Sequence, residues 1–415
     1  MQAELLATGD EIRTGALVDS NTAHISEQLT AVGIHVRRHH CCGDGQADLV
    51  AVLQEIAARS DLAVVTGGLG PTSDDRSAAA AAEAAGVPLV LDTAAFKVVE
   101  RFFKKANRPL TASNRKQAEL PQGAEFLDNP VGTAPGFIVP IGGCRFFFLP
   151  GVPYEMKRML ADQVLPRIQA LRGDAEHCYL SRTLTTFGLP ESQVGDAVAA
   201  LEDRFPDLTL GLRAKFPVIQ VKVYGGGSDR KGVARRLAEG ADWVADQLGR
   251  HLVSRDGESL EAVVGHLLRQ RGATIAVAES CTGGLLAHRL TNVSGSSDYF
   301  LLSAVTYANS AKTAVLGVGA DTLADHGAVS EATARAMAEG VRLRSGADYG
   351  LATTGIAGPT GGTEEKPVGT VWIGLATPER TAAKRRNFPF GRRLMNKQMF
   401  TMAALETLRR ELLAI

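Results

Sequence analysis

The sequence predicts an α/β protein in three parts, two α/β domains joined by a small α+β module. Three observations carry this expectation. The chain has 415 residues, enough for two or three domains with sizeable cores. Strand and helix signals alternate through residues 1–170 and again through 258–415. Between them, over 171–257, short strands surround two helical stretches without that alternation.

In the first part AELLAT (3–8) reads as a short apolar strand, and NTAHISEQLTAVG (21–33) as an amphipathic helix stopped by Gly33. IHVRRHHCC (34–42) is a strand, DLVAVLQEIAARS (48–60) a helix and LAVVT (62–66) an apolar strand. This βαβαβ order implies a parallel sheet with right-handed crossovers and helices on both faces. Ligands of such sheets lie past the carboxyl ends of strands, where the glycine-rich stretches fall. In the middle part LSRTLTTF (180–187), LTLGLR (208–213) and VIQVKVYGG (218–226) are strands, with helices over 190–204 and 231–248. The glycine run 225–227 reads as a turn. After a helix at 259–271, TIAVAES (274–280) is a buried strand ending in the loop CTGG, followed by the helix LLAHRLTNV. Strands SAVTYA, YGLATTG and GTVWIGLA follow, interleaved with helices around 310–316, 331–345 and 394–413.

Composition narrows the function classes. Lys plus Arg and Asp plus Glu number 45 each, so no long-range field draws polyanions or anionic lipid, and any anion site is local. Residues 178–257 have near-equal acidic and basic counts and no GxxG loop flanked by basic residues, which argues against a nucleic-acid partner. No stretch approaches the roughly eighteen apolar residues of a membrane span, and MQAELLATGDE carries no basic leader. Five cysteines without a CxxC spacing disfavour disulfide frameworks and zinc ribbons, and fit a reducing cytoplasm.

Several loops carry chemistry. TGGLGPTSDD (66–75) follows LAVVT and opens an alanine-rich helix near Arg76. Gly67, Gly68 and Gly70 let backbone amides approach a phosphate at a helix amino end. Asp74 and Asp75 suit a divalent cation bridging to that phosphate, or else cap the helix. TGDE (8–11), NPVGTAPGF (129–137) and LPGVPYEM (149–156) are further loops expected to converge with it on one cleft. HHCC (39–42) is expected to be structural, because adjacent strand side chains point to opposite faces.

In the last part ESCTGG (279–284) joins a strand to a helix amino end and offers Ser280, Cys281 and Thr282 as nucleophiles. GSS (295–297) is a second hydroxyl site, followed by Tyr307 and Lys312. Lys312 falls in the first turn of a helix, where the ammonium form is disfavoured and a neutral base is favoured. Cys281 has no histidine in a motif-like relation to it. TGIAGPTGGTEEKPVGTV (354–371) can supply an amide cradle, and FPFGRR (388–393) places Arg392 and Arg393 at another helix start.

These motifs together resemble a known family. GDE, GGLGPTSDD, NRKQAELP, NPVGTAPGF and LPGVPYEM resemble the amino-terminal domain of the CinA (competence/damage-inducible protein A) family. AESCTGG, GSSDYF, TYANSAK, HGAVSE, TGIAGPTGGTEEKPVGTV and the closing FxFGxR resemble its amidase domain. The resemblance covers nearly the whole chain and makes 171–257 a KH-like module. It implies a molybdenum-cofactor-biosynthesis-like domain that hydrolyses ADP-ribose to AMP and ribose 5-phosphate with a divalent metal, using Asp44 and Asp75. It implies an amidase, needing no cofactor, that converts nicotinamide mononucleotide to nicotinate mononucleotide and ammonia. In that domain it assigns Ser297 as nucleophile, Lys312 as base and Tyr307 as proton-transfer aid. It assigns Ser280, Thr282, Gly283, Asn309 and Gly355 to substrate and Arg393 to its phosphate. A homodimer is implied too, and a fragment starting near Asp256 is expected to deamidate alone. The chain departs from the family at Arg392, where an acidic residue is usual, and at GDEIRTG (9–15), where GTELLLG is common.

Overall fold

The computed structural model describes the chain except residues 106, 173–177, 389 and 415, and the side chains of 112 and 172. The chain forms two compact units, Met1–Leu180 with Gly225–Ala234, and Ser181–Tyr224 with Arg235–Ile415.

The first unit is built on strands β1 (Gln2–Thr8), β2 (His35–Cys42), β3 (Leu62–Thr66), β4 (Leu89–Leu91), β5 (Glu119–Pro121), β6 (Glu125–Leu127), β7 (Gly136–Ile141) and β8 (Cys144–Leu149). Its main sheet has the order β2-β1-β3-β8-β7-β6. The first four strands run parallel, while β7 is antiparallel to β8 and β6 to β7. The expected parallel sheet is thus mixed at one side. The cause is local: Gly142, at φ 57°, and Gly143 close a two-residue hairpin between β7 and β8. Both faces of the parallel part are covered. Leu6, Val65, Phe146 and Phe148 pack on one side, and Leu5, Val64, Phe147, Ile25 and Leu29 on the other. This explains why these strands read as continuous apolar runs instead of alternating.

HHCC belongs to β2 and serves structure. His40 Nε2 lies 2.5 Å from Glu4, whose buried carboxylate also accepts from Arg59 at 2.8 and 3.0 Å. Burial works to raise the Glu4 carboxyl, but these hydrogen bonds outweigh it and hold it at about 2.

The remaining strands are β9 (Cys178–Thr186), β10 (Leu208–Lys215), β11 (Val218–Gly227), β12 (Leu252–Ser254), β13 (Ile275–Glu279), β14 (Phe300–Val305), β15 (Tyr349–Gly355), β16 (Thr370–Ala376) and β17 (Thr381–Asn387). One sheet has the order β10-β11-β9-β12. Its glycines 225–227 end β11 and do not form the expected turn; a Cβ on Gly226 would lie 2.9 Å from the Tyr179 ring. The other sheet has the order β14-β13-β15-β16-β17, parallel through β14, β13 and β15 and antiparallel through β16 and β17. Helix Glu331–Ser345 covers one face through Met337, Ala338 and Val341. Helices Leu260–Arg271 and Arg393–Leu413 cover the other through Leu268, Phe400 and Leu405, in a core that includes Phe187 and Val253. Among the described residues no helix is long and apolar enough to cross a membrane.

Candidate functional sites

In the first unit the four expected loops do converge. Gly9, Gly67–Pro71, Thr133–Ala134 and Pro150–Pro153 line one cleft of about 410 Å³ beyond the carboxyl ends of β1, β3 and β8. Gly67 can be nothing larger: its φ is 108°, and a Cβ would lie 2.5 Å from Thr8 O. Gly68 and Gly70 line the same wall. Asn129 fixes the third loop, donating to Ala134 O at 2.9 Å and to the buried Glu155 at 2.7 Å. Lys116 fixes the second, donating to Thr72 O at 2.6 Å and Asp75 O at 2.7 Å.

Asp44, Asp74 and Asp75 all line this cleft. Burial pushes the Asp44 carboxyl above its ordinary value; Asp10, Glu11 and Asp74 add to this, and the Asp10 N–H donated to it at 3.1 Å opposes them. Asp75 is largely committed to its own loop, accepting from Thr72 N at 2.8 Å and Thr72 Oγ1 at 2.5 Å. Asp10 turns onto Arg13 at 3.0 Å. Among the described residues no three His, Cys, Asp or Glu side chains converge on one point. Asp44 and Asp74 offer only oxygen donors, which would suit a hard divalent cation bound with help from other ligands. Two buried amide oxygens lining the cleft, Asn21 Oδ1 and Gln117 Oε1, have no hydrogen-bond partner among the described residues. Neither residue was singled out from the sequence, although Gln117 stands inside NRKQAELP.

In the second unit β13 delivers Glu279 and Ser280 to the carboxyl end of the sheet. Glu279 is fully buried and accepts the N–H groups of Gly284, Leu286 and Ala287 at 2.8–3.1 Å. It therefore caps helix Leu285–Thr291 and fixes the CTGG turn. Lys312, on helix Asn309–Leu316, is also fully buried. Its Nζ donates to Thr306 O at 2.9 Å, Tyr307 O at 3.1 Å and Ser280 Oγ at 3.3 Å. Burial pushes the Lys312 ammonium below its ordinary value. Burial also pushes the Cys281 thiol up to about 12, which favours its protonated, weakly nucleophilic form.

The other expected residues divide. Tyr307 is at the site, but its phenol accepts from Arg393 at 2.8 Å; its carbonyl, and not its hydroxyl, meets Lys312. Arg393 also donates to Gly358 O at 2.7 Å. Thr282 is buried, with its hydroxyl 2.8 Å from that of Thr353, so its side chain holds the loop. Gly355 is bare because a Cβ would overlap Thr370 O across β16. Asn309 is exposed at the start of the Lys312 helix, and Arg392 is the residue before helix Arg393–Leu413. Lys397, one turn beyond Arg393, was missed. Its Nζ lies 3.4 Å from the Cβ position of Gly283, a cation directly beside the CTGG turn.

Ser297, expected as nucleophile, stands apart from this cluster. It lies exposed in the Ser296–Asp298 turn before β14, whose Phe300 pairs with Ile275 and Val305 with Glu279. Ser280 and Lys312 lie beyond the opposite end of these strands, about 20 Å away at strand rise. Within one chain the structure does not bring Ser297 to Lys312. The hydroxyl that it brings there is that of Ser280.

Family profiles match three consecutive stretches: "Probable molybdopterin binding domain" over 4–170, "Damage-inducible protein CinA KH domain" over 181–253 and "CinA C-terminal domain" over 257–412. A CinA-like protein of Desulfosudis oleivorans is 51% identical over 100% of both chains. One from Desulforapulum autotrophicum is 47% identical over 100% of this chain and 99% of its own. The crystal structure of the protein CinA from Thermoplasma acidophilum, 35% identical, covers 40% of this chain and 97% of its own with a TM-score of 0.38. With its three domain matches in order and a relative 51% identical from end to end, the chain belongs to the CinA family.

Proposed function

We propose that the second unit is an amidase that hydrolyses the carboxamide of nicotinamide mononucleotide, with Ser280 as nucleophile and Lys312 as its base. The observation that carries this reading is the buried Lys312 Nζ, held by two carbonyls and facing the Ser280 hydroxyl at 3.3 Å. In the neutral amine, Thr306 O and Tyr307 O accept two hydrogens and leave the lone pair for the hydroxyl proton. Ser280 Oγ then attacks the carboxamide carbon as Lys312 takes that proton. The N–H groups of Cys281 and Thr282, which make no backbone hydrogen bond among the described residues, would be available to the oxyanion. Lys312 returns the proton to the departing nitrogen, ammonia leaves, and water hydrolyses the ester to nicotinate mononucleotide. Arg393 and Lys397 supply positive charge for the substrate phosphate.

For the first unit we propose divalent-cation-dependent hydrolysis of ADP-ribose. The glycine loops, the crowded carboxylates and the two unpartnered amide oxygens in one cleft support it. A bound cation would offset the diphosphate charge. Asp44 and Asp74 would hold it, Gln117 and Asn21 would orient substrate, and Asp75 would keep the phosphate loop closed.

Ammonia release from nicotinamide mononucleotide tests the amidase. Ser280→Ala and Lys312→Met should each lower turnover by about four orders of magnitude, and Cys281→Ala should retain most of it. An active Ser280→Ala would remove the serine from its role.

A further inference from the structure

A cavity of about 1040 Å³ in the second unit takes no part in the chemistry proposed above. It lies between the middle module and the sheet edge formed by β16 and β17. These strands pair antiparallel, with Ile373 opposite Lys384 and Leu375 opposite Ala382, so the four side chains share one face. All four line the cavity. Phe388, Met399 and Ala403 extend its apolar floor, and the exposed Phe216 stands on the module's side. The Thr407 hydroxyl also lines it, but is already committed, donating to Ala403 O at 2.8 Å. The charges around the cavity are unequal. Glu411 is answered by Arg380 at 2.7 Å, and Glu406 by Arg409 and Arg410 at 2.7 and 2.6 Å. Glu191, on the module's wall, is the lining carboxylate without an ion pair among the described residues. Facing the cavity from β17, Lys384 and Arg386 have no carboxylate partner among the described residues either. Being two residues apart, they point the same way.

We propose that this cavity binds a single-chain fatty carboxylate, its tail on the apolar floor and its head on Lys384 and Arg386, and that occupancy braces the phosphate end of the amidase site. The volume suits a small organic ligand. The floor decides between kinds of apolar anion. A nucleotide base buried there would leave its ring nitrogens and amine without partners, a cost that its stacking does not offset. A hydrocarbon chain needs no partner and is stabilised in proportion to the apolar area it covers. The two neighbouring cations match the two oxygens of one carboxylate. Coupling to the amidase follows from the far wall. Phe390 and Met399 line the cavity, and Phe390 O accepts from Asn396 at 2.9 Å. Asn396 stands between Arg393 and Lys397 on the first turn of the helix that carries both. A tail packed on Phe390 and Met399 therefore holds in place the stretch that offers both cations to the substrate phosphate. This coupling rests on the amidase reading; the binding does not.

The test uses the full chain and dodecanoate, kept below its micelle-forming concentration, in titration calorimetry. Dodecanoate should bind at least about tenfold more tightly than dodecyltrimethylammonium, which has the same tail and the opposite charge. Hexanoate, with half the tail, should be weaker by at least about tenfold too. Reversing both cations, Lys384→Glu with Arg386→Glu, should weaken dodecanoate by at least about tenfold, and both side chains are exposed, so the fold is spared. Ala382→Trp, which fills the cavity from the same strand, should abolish binding, with a melting curve to confirm folding. Saturating dodecanoate should lower KM for nicotinamide mononucleotide by at least about threefold in the unmodified chain and leave it unchanged in the charge-reversed one. Equal affinity for the two amphiphiles, or undiminished binding by the charge-reversed chain, overturns the site. Binding that weakens as chain concentration rises would give the cavity to a second copy and overturns it as well. An unchanged KM in a chain that releases ammonia overturns the coupling. If the unmodified chain releases no ammonia the amidase reading fails, whereas calorimetry still reports the site.

Discussion

Lys312 is a basic side chain surrounded by protein, so its protonation bears on stability and, on the amidase reading, on activity. Burial lowers its affinity for a proton below the ordinary value of 10.5. As a base it acts only when neutral, so kcat/KM should rise with pH through a lowered lysine value and then level off. A profile flat over that range would remove Lys312 from the role. The stability effect has a definite sign. Between the lowered folded value and 10.5 the unfolded chain binds more protons, so stability grows as pH rises through that window and is lost as pH falls through it. Lys312→Met should therefore raise Tm at neutral pH, with an advantage that shrinks toward pH 10.5, measurable by thermal melts across pH. The sequence showed Ser280, Tyr307, Lys312 and the CTGG turn as chemistry, but it could not pair them. Ser297 precedes β14 and Lys312 follows it, so a short separation in sequence becomes a full strand length in space. Ser280 is far from Lys312 in sequence, yet β13 and β14 run parallel and end together. Lys397 carried no motif, because only the docking of helix Arg393–Leu413 brings it to Gly283.

Elements were legible wherever burial is two-sided. LAVVT and IAVA (275–278) are runs of apolar or small residues because helices cover both faces of their sheets. The strand β17 was not, since TAAKRRN is an edge whose polar residues carry no strand signal. Two features of the elements make testable claims. Helix Glu331–Ser345 lies so close to its sheet that a Cβ on Gly374 would overlap Ala334 O and one on Gly350 would overlap Ala338 O. Gly374→Ala should push the helix outward and cost about 1–3 kcal/mol in urea unfolding; an unchanged midpoint would deny the close approach. In the other unit Glu4 joins β1 to β2 and to Arg59 through hydrogen bonds that hold its carboxyl at about 2. A depressed carboxyl stabilises above its ordinary 4.5 and loses that contribution as pH falls through 2. Glu4→Gln should thus destabilise by on the order of 2 kcal/mol at pH 7 and by progressively less in acid. A deficit independent of pH would show that packing, and not charge, is the cause.

At the scale of the whole molecule, the sequence suggested a self-sufficient amidase domain beginning near Asp256, because the α/β pattern is complete from there. The module and that stretch lie together in one compact unit, Ser181–Tyr224 with Arg235–Ile415. Phe187 and Val253 of the middle module are buried in the same core as Ile373, Leu375 and Ala403. Phe216, at the β10–β11 hairpin, meets Phe390 edge to face, with centroids 5.4 Å apart. Asn396 donates to Phe390 O at 2.9 Å, which ties this contact to the helix start that carries Arg393. A cavity of about 1040 Å³ lies between the module and the β16–β17 face, walled by Phe187, Phe216, Phe388 and Arg386. Cutting at Asp256 would open that wall to water and strip the Phe187 and Val253 side chains from the core, about 4 kcal/mol of apolar burial. A fragment beginning at Ser181 keeps every one of these contacts. It should melt roughly 10 °C above the Asp256 fragment and bind nicotinamide mononucleotide with a lower KM, since Phe390 helps to seat Arg393. Melting curves and ammonia release on the two fragments decide the matter: equal Tm and equal KM would mean that the module merely rests against the amidase sheet, while the expected gap makes it part of that domain's core.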